Sequence, residues 1–192
     1  MTHVIIALAG RAGSGKDTAA AFLAHAAIRD GYGATTTGFA SPLKAGLSAM
    51  FGFQFADLTR EEKEAPLEFI GKSPRELMQT LGTEWGRGVH QELWIQLMER
   101  RIFERPTFGA DDLWILTDCR FPNELAWVRR KGGVTWWIER DGVPPVASHS
   151  SENSIGPGDC DRVIANFGSR ADLAIEVQRA WAQHEATIEV EA

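Results

Sequence analysis

Nine residues near the start of the chain constrain its fold more than any others: Gly10-Arg11-Ala12-Gly13-Ser14-Gly15-Lys16-Asp17-Thr18. The apolar run Val4 to Leu8 leads into them, and the helix-like stretch Ala19 to Ile28 leads out. Strand, glycine-rich loop with lysine, then helix is the context of a phosphate-binding P-loop. Glycines allow successive backbone N–H groups to turn inward around phosphate oxygens. The helix start adds unpaired N–H groups and the positive end of its dipole. Lys16 supplies a mobile charge for the outer phosphates. Gly10, Ala12, Gly13, Ser14, Gly15, Lys16, Asp17 and Thr18 are therefore the expected triphosphate contacts. The usual pattern ends in Gly-Lys-Ser/Thr, whereas Asp17 follows Lys16 here and Thr18 comes one residue later. The hydroxyl at that position normally binds magnesium. A carboxylate is also a good ligand for a hard cation, directly or through water. Asp17 and Thr18 are both candidate metal contacts.

A chain of 192 residues fits one domain, and 44% hydrophobic residues suffice for a sizeable core. A formal net charge of -6 gives no broad attraction to nucleic acid, so anionic substrates must be met by arginines gathered in a cleft. No apolar run approaches the roughly 20 residues of a membrane span, and no signal peptide is visible. Cys119 and Cys160 lack metal-like spacing and are expected to stay reduced in a cytoplasm; the 5 histidines form no zinc pattern.

Residues 3 to 9 read as a buried strand, Thr35 to Phe39 as a second and Leu113 to Thr117 as a third. Val134 to Glu139 and Arg162 to Ala165 complete five. Ser41 and Pro42 suit the start of a helix. Lys44, one turn in, is either a ligand contact at the sheet edge or a solvated lysine. Residues 51 to 72 are charged and irregular, with Thr59-x-x-Glu62 able to cap a short helix. Ser73-Pro74-Arg75-Glu76 is a strong helix start, and that helix is expected to end near Leu81. Gly82 to Arg87 then reads as a glycine-broken segment holding Glu84, Trp85 and Arg87. Arg75, Gln79 and Arg87 either converge on an anion or form the polar face of an amphipathic helix. Val89 to Glu104 is expected to be helical, with Leu93, Trp94, Leu97 and Met98 inward.

The third strand ends in Asp118, the position of a second magnesium contact in P-loop enzymes. Arg120 would project into the same crevice, where it could clamp a phosphate bidentately. Pro122 opens a helix closed by Gly132-Gly133, and the basic residues 129–131 suit its C-terminal dipole. Residues 140 to 160 form a long Pro/Gly/Ser loop, of the kind that is either a lid or disordered. Arg140 and His149 there are either phosphate contacts or surface polar residues. Ser169-x-x-Asp172 caps a last helix with Leu173, Val177, Ala180 and Trp181 on one face.

With these segments in order, the chain resembles the deoxynucleoside monophosphate kinases of phages and, more distantly, the animal-type phosphomevalonate kinases. The resemblance covers nearly the whole chain. It rests on Gly15-Lys16-Asp17, Phe39 to Lys44, Arg75 to Gln79 leading to Gly82-Thr83-Glu84, Thr117 to Glu124, and Asp161 to Gly168. It implies a three-layer α/β/α P-loop kinase fold with a five-stranded parallel sheet. It also implies a single domain over residues 1–192, with an acceptor-binding region at 41–110 and a lid at 140–160. Lys44, Arg75, Gln79, Glu84, Trp85, Arg87 and Arg120 become expected acceptor contacts, and Asn166 an expected adenine contact. Lys16, Arg120 and Asp118 become the expected catalytic groups, with ATP and Mg2+ as cofactors and a nucleoside monophosphate as acceptor. Neither nucleic acid nor membrane is an expected partner. Members of the family often dimerise, so a homodimer is compatible with the resemblance. The expected location is the cytoplasm, that of the host if the chain is phage-encoded. Three rivals stay open: a kinase of another phosphorylated metabolite, a P-loop ATPase without an acceptor, and a nucleotide-binding scaffold without catalysis.

Overall fold

The strand β1 (His3–Ala9) is apolar along almost its whole length because both its faces are covered. The computed structural model of the chain describes residues 3–55, 57–104, 112–142 and 154–191. β1 is the centre of a five-stranded parallel sheet with β2 (Gly33–Thr37), β3 (Asp112–Leu116), β4 (Val134–Glu139) and β5 (Arg162–Ala165), in the order β2-β3-β1-β4-β5. One face carries Ile6, Leu8, Ile115, Trp136 and Ile138. Against it pack α1 (Lys16–Arg29) through Ala19, Ala20, Leu23, Ala26 and Ala27, and α8 (Arg170–Glu191) through Leu173, Val177, Ala180 and Trp181. Trp181 also donates its indole N–H to Asp30 at 2.9 Å, joining α8 to the end of α1. α7 (Pro122–Arg130) covers the other face with Leu125, Trp127 and Val128. Gly133 allows that approach, since a β-carbon there would stand 2.6 Å from the Ile5 carbonyl and 2.9 Å from Val128. The expected three-layer α/β/α arrangement is present.

The crossover leaving β1 runs to β2 on one side, whereas that leaving β3 runs to β4 on the other. The C-terminal ends of β1 and β3 therefore flank the crevice in which open α/β sheets bind ligands. β2 ends two residues before the sequence suggests, at Thr37, whose carbonyl accepts from Thr117 N–H at 3.0 Å.

The chain divides into two compact units, Met1–Gly38 with Pro106–Ala192, and Phe39–Arg105. The second unit is helical: α2 (Ser41–Phe51), α3 (Arg60–Glu64), α4 (Pro74–Gln79), a π-helical turn (Thr80–Gly86) running into α5 (Arg87–Val89), then α6 (Leu93–Phe103). The expected capping boxes at Thr59/Glu62 and Ser73/Glu76 both form. At α2 the cap is Ala40 rather than Ser41, which is already helical. α6 begins at Leu93 rather than Val89, since the His90 ring accepts from Glu92 N–H at 3.1 Å and holds a turn there. Its buried side is Trp94, Ile95, Met98 and Ile102, so Leu93 and Leu97 lie off centre.

The glycines of residues 82–86 do not break the helix. The backbone continues through them in a wider turn. The Gly82 carbonyl accepts the Trp94 indole N–H at 2.7 Å. Gly86 lies under the same ring, where a β-carbon would stand 2.4 Å from Trp94. Glycine serves here as a floor for a tryptophan, not as a break.

Candidate active site

β1 ends at Ala9, and the next residues leave the sheet through backbone that only glycine adopts without strain. Gly10, Gly13 and Gly15 have φ of 143°, 82° and 97°. At Gly10 there is also no room, since a β-carbon would lie 2.6 Å from the Ile138 carbonyl and 2.7 Å from Ser14 Oγ. Ser14 N–H donates to the Arg11 carbonyl at 3.1 Å, closing the turn. Lys16 is the first residue of α1, and its ammonium donates to the carbonyls of Gly10 and Arg11, each at 2.7 Å. The cation is thereby tied to the loop's own backbone. Ala12 is half-buried and Ser14 fully buried; Ser14 Oγ has no hydrogen-bond partner among the described residues. Asp17 and Thr18 follow in the first turn of α1, Asp17 exposed and Thr18 half-buried.

Asn166 follows β5 directly. Its side-chain N–H donates to the Ser14 carbonyl at 2.8 Å, and its backbone N–H to the Glu139 carbonyl at 2.7 Å. The expected adenine contact thus has its amide donor committed to the loop backbone. Its neighbour Phe167 is 56% exposed.

The parallel register aligns Ala7 with Leu116, so Asp118 comes level with Ala9 at the start of the loop. The Asp118 carboxylate lies against Gly38, where a β-carbon would stand 2.4 Å from both of its oxygens. Cys119 is tied back to β1 by its N–H on the Leu8 carbonyl at 3.3 Å. Burial, with the carboxylates of Glu124 and Asp118 nearby, holds its thiol well above the usual range, so it is no nucleophile. Arg120 is half-buried. The residue that shapes this turn is Glu124, 3% exposed, whose Oε2 accepts Arg120 N–H at 2.8 Å and Phe121 N–H at 3.1 Å. Sequence reasoning assigned Glu124 nothing. The signal was its place three residues after Phe121, the glutamate position of a capping box lacking the usual Ser or Thr.

In the helical unit, Arg75 pairs with Glu64 of α3, and Arg75 and Gln79 are half-buried four residues apart on α4. Arg87 donates to the Gln91 carbonyl at 3.3 Å. Glu84 and Trp85 are exposed, and Lys44 is half-buried on α2. Arg140 is exposed just after β4, while His149 lies outside the described residues.

Among the described residues no cluster of three or more His, Cys, Asp or Glu is poised to hold a metal. The oxygen donors Asp17, Thr18 and Asp118 suit magnesium, which is bound through one or two carboxylates plus substrate phosphates. The cradle that Gly38 leaves for the Asp118 carboxylate fits that use.

The sequence profile of the family described as "Deoxynucleotide monophosphate kinase" matches residues 71–177, more than half of the chain. The chain belongs to this kinase family. The match includes Arg75, Asp118, Arg120, Glu124 and Asn166; the P-loop precedes it. A "Putative deoxynucleotide monophosphate kinase" of Acanthamoeba polyphaga mimivirus is 29% identical over 160 residues, which span 78% of this chain and 80% of that protein. The "Deoxynucleoside-5'-monophosphate kinase" of Escherichia phage T5 is 40% identical over 68 residues, 35% of this chain and only 26% of that protein. Among solved structures, a gluconokinase from Sinorhizobium meliloti 1021 superposes with a TM-score of 0.51 at 11% identity, covering 100% of this chain and 97% of that one. At that identity the likeness shows the fold alone. No helix among the described residues is long and apolar enough to cross a membrane.

Proposed function

We propose that the chain transfers the γ-phosphoryl group of ATP to the 5′-phosphate of a deoxynucleoside monophosphate, giving ADP and the diphosphate. The observation that carries this reading is the glycine cradle at residues 10–15, closed by the Lys16 ammonium, in a chain of this kinase family. The acceptor oxygen is already largely anionic near neutral pH, because a phosphate monoester has its second pKa at about 6. No side-chain base is then needed. The obstacle is bringing two polyanions together in line.

In this reading Lys16 and the loop N–H groups bind the triphosphate. Arg120, on the turn that Glu124 fixes, offsets charge on the transferring group. Asp118 with Asp17 or Thr18 would hold magnesium, which when bound neutralises phosphate charge. The helical unit supplies acceptor recognition through Lys44, Arg75, Gln79, Glu84, Trp85 and Arg87. The exposed Trp85 indole offers a stacking surface for a base. Arg140, just after β4, is assigned to phosphate binding, and the reaction to the cytoplasm. Cys119 follows Asp118 where a hydrolytic motor would need a water-activating glutamate, and its buried thiol cannot do that work. This favours transfer over hydrolysis.

The test is turnover of MgATP with each natural ribo- and deoxyribonucleoside monophosphate, and with phosphomevalonate. Expected is turnover with at least one deoxynucleotide far above acceptor-free ATP hydrolysis, lost by at least about 10²-fold in Lys16→Ala. Turnover with phosphomevalonate alone, or hydrolysis indifferent to every acceptor, would refute the reading.

A further inference from the structure

The peptide between Ser14 and Gly15 leads into a glycine of positive φ in the phosphate loop. Gly15 has φ of 97° and no side chain, so this peptide could turn over at little local cost. Its direction matters, because a trans peptide points its C=O and its N–H to opposite sides. If the Ser14 carbonyl points out of the loop, the Gly15 N–H points in, where an anion would be held. If the peptide turns over, a carbonyl oxygen faces the anion instead.

Asn166 holds the carbonyl end of this peptide. It is 8% exposed and reaches across from the far end of β5 to donate its side-chain N–H to the Ser14 carbonyl at 2.8 Å. Its own backbone is anchored at the end of β4 through the Glu139 carbonyl. The fit leaves no slack: a β-carbon on Gly15 would stand 2.6 Å from the Asn166 nitrogen. Nor does the Ser14 hydroxyl help, since it makes no hydrogen bond among the described residues.

We propose that Asn166 is a positioning residue that locks the Ser14–Gly15 peptide with its N–H toward the phosphates, rather than a residue that reads the adenine base. The proposal rests on the reading of residues 10–18 as the triphosphate site. Its sharpest consequence concerns a ligand without a base. Inorganic tripolyphosphate should feel the loss of Asn166 as strongly as ATP does.

The experiment measures Kd for tripolyphosphate and for ATP, and turnover with ATP and GTP, in the wild-type chain, Asn166→Ala and Asn166→Asp. Removing the donor should weaken both ligands by the same factor, on the order of tenfold in Asn166→Ala. Asn166→Asp should be worse than Asn166→Ala, since a carboxylate repels the Ser14 carbonyl and would accept the Gly15 N–H after a peptide flip. The preference for ATP over GTP should not change. Should neither variant fold by circular dichroism, amide NMR of the wild-type chain decides: the Gly15 N–H must shift on tripolyphosphate binding. A stationary Gly15 signal overturns the proposal. So does weakened ATP with unweakened tripolyphosphate, which would make Asn166 a base contact, and so does unchanged affinity for both. A wild-type chain that binds ATP but no tripolyphosphate overturns the lock alone. One that binds neither overturns the triphosphate site as well.

Discussion

The Asp118 carboxylate rests on the bare Cα of Gly38, so closely that a β-carbon at residue 38 would stand 2.4 Å from both carboxylate oxygens. The two strand ends behind them are joined by Thr117 N–H on the Thr37 carbonyl at 3.0 Å. A methyl group at residue 38 therefore cannot be absorbed by parting the strands; Asp118 must move. Misplacing a reacting group by about 1 Å can cost on the order of 10²-fold in rate. Gly38→Ala should lower kcat by about that factor and raise the magnesium concentration for half-maximal rate, with near-unchanged circular dichroism. A magnesium titration superimposable on wild type would remove Asp118 from the metal site.

Arg120 and Glu124 should separate in two assays. Losing a charge clamp in Arg120→Ala should cost on the order of 10³-fold in kcat with little change in stability. Glu124→Ala strips the acceptor from two N–H groups, those of Arg120 and Phe121. A fully buried donor left unsatisfied costs about 1–3 kcal/mol; these two are part-buried, so the variant should lose melting temperature by less than that sum, as well as rate. Equal melting temperatures for the two variants would show that Glu124 does not hold the turn.

What could be seen in the sequence followed from local rules. The strands Val134–Glu139 and Arg162–Ala165, the capping boxes at Thr59 and Ser73 and the buried stripe of the last helix are each set by neighbours within a few residues. What could not be seen was set at a distance. Gly82 and Gly86 read as breakers until Trp94, on another helix, is placed against them. The partner of the Asn166 side chain is Ser14, 152 residues away. Glu124 was hidden for a different reason. Its box partner is the hydrophobic Phe121, so the pattern shows only half of its usual residues.

Two glycines two residues apart test the π-helical turn. A β-carbon on Gly86 would meet the Trp94 ring at 2.4 Å, whereas one on Gly88 meets nothing within 4 Å. Overpacking against a rigid ring costs about 1–3 kcal/mol, so Gly86→Ala should unfold at lower urea concentration. Gly88→Ala should stabilise by up to about 1 kcal/mol, because alanine is the better helix former. Tryptophan fluorescence during urea unfolding reads both. Indistinguishable midpoints would mean that the indole does not pack on Gly86.

Asp17 stands where most P-loops place a hydroxyl. Asp17→Ser restores that pattern at an exposed position of the first helical turn. If the carboxylate serves the metal, the variant should stay active with a shifted magnesium requirement. Identical titrations would assign the metal to Thr18 or Asp118.

The alkaline limb of stability should carry the mark of Cys160. Burial pushes its thiol up to about 11, from a usual value near 9. Below about pH 9 the thiol is neutral in folded and unfolded chains alike, and its contribution to stability is fully present. As the pH rises from about 9, only the unfolded chain ionises, so stability falls until the folded thiol also titrates near 11. Urea midpoints measured from pH 8 to 11 should therefore decline, and the decline should be shallower in Cys160→Ala. The same protonation predicts slow alkylation of Cys119 and Cys160 by iodoacetamide at pH 8 in the folded chain and fast alkylation in urea, because the thiolate is the reactive form. Rapid modification of the folded chain at pH 8 would contradict the burial that holds both thiols neutral.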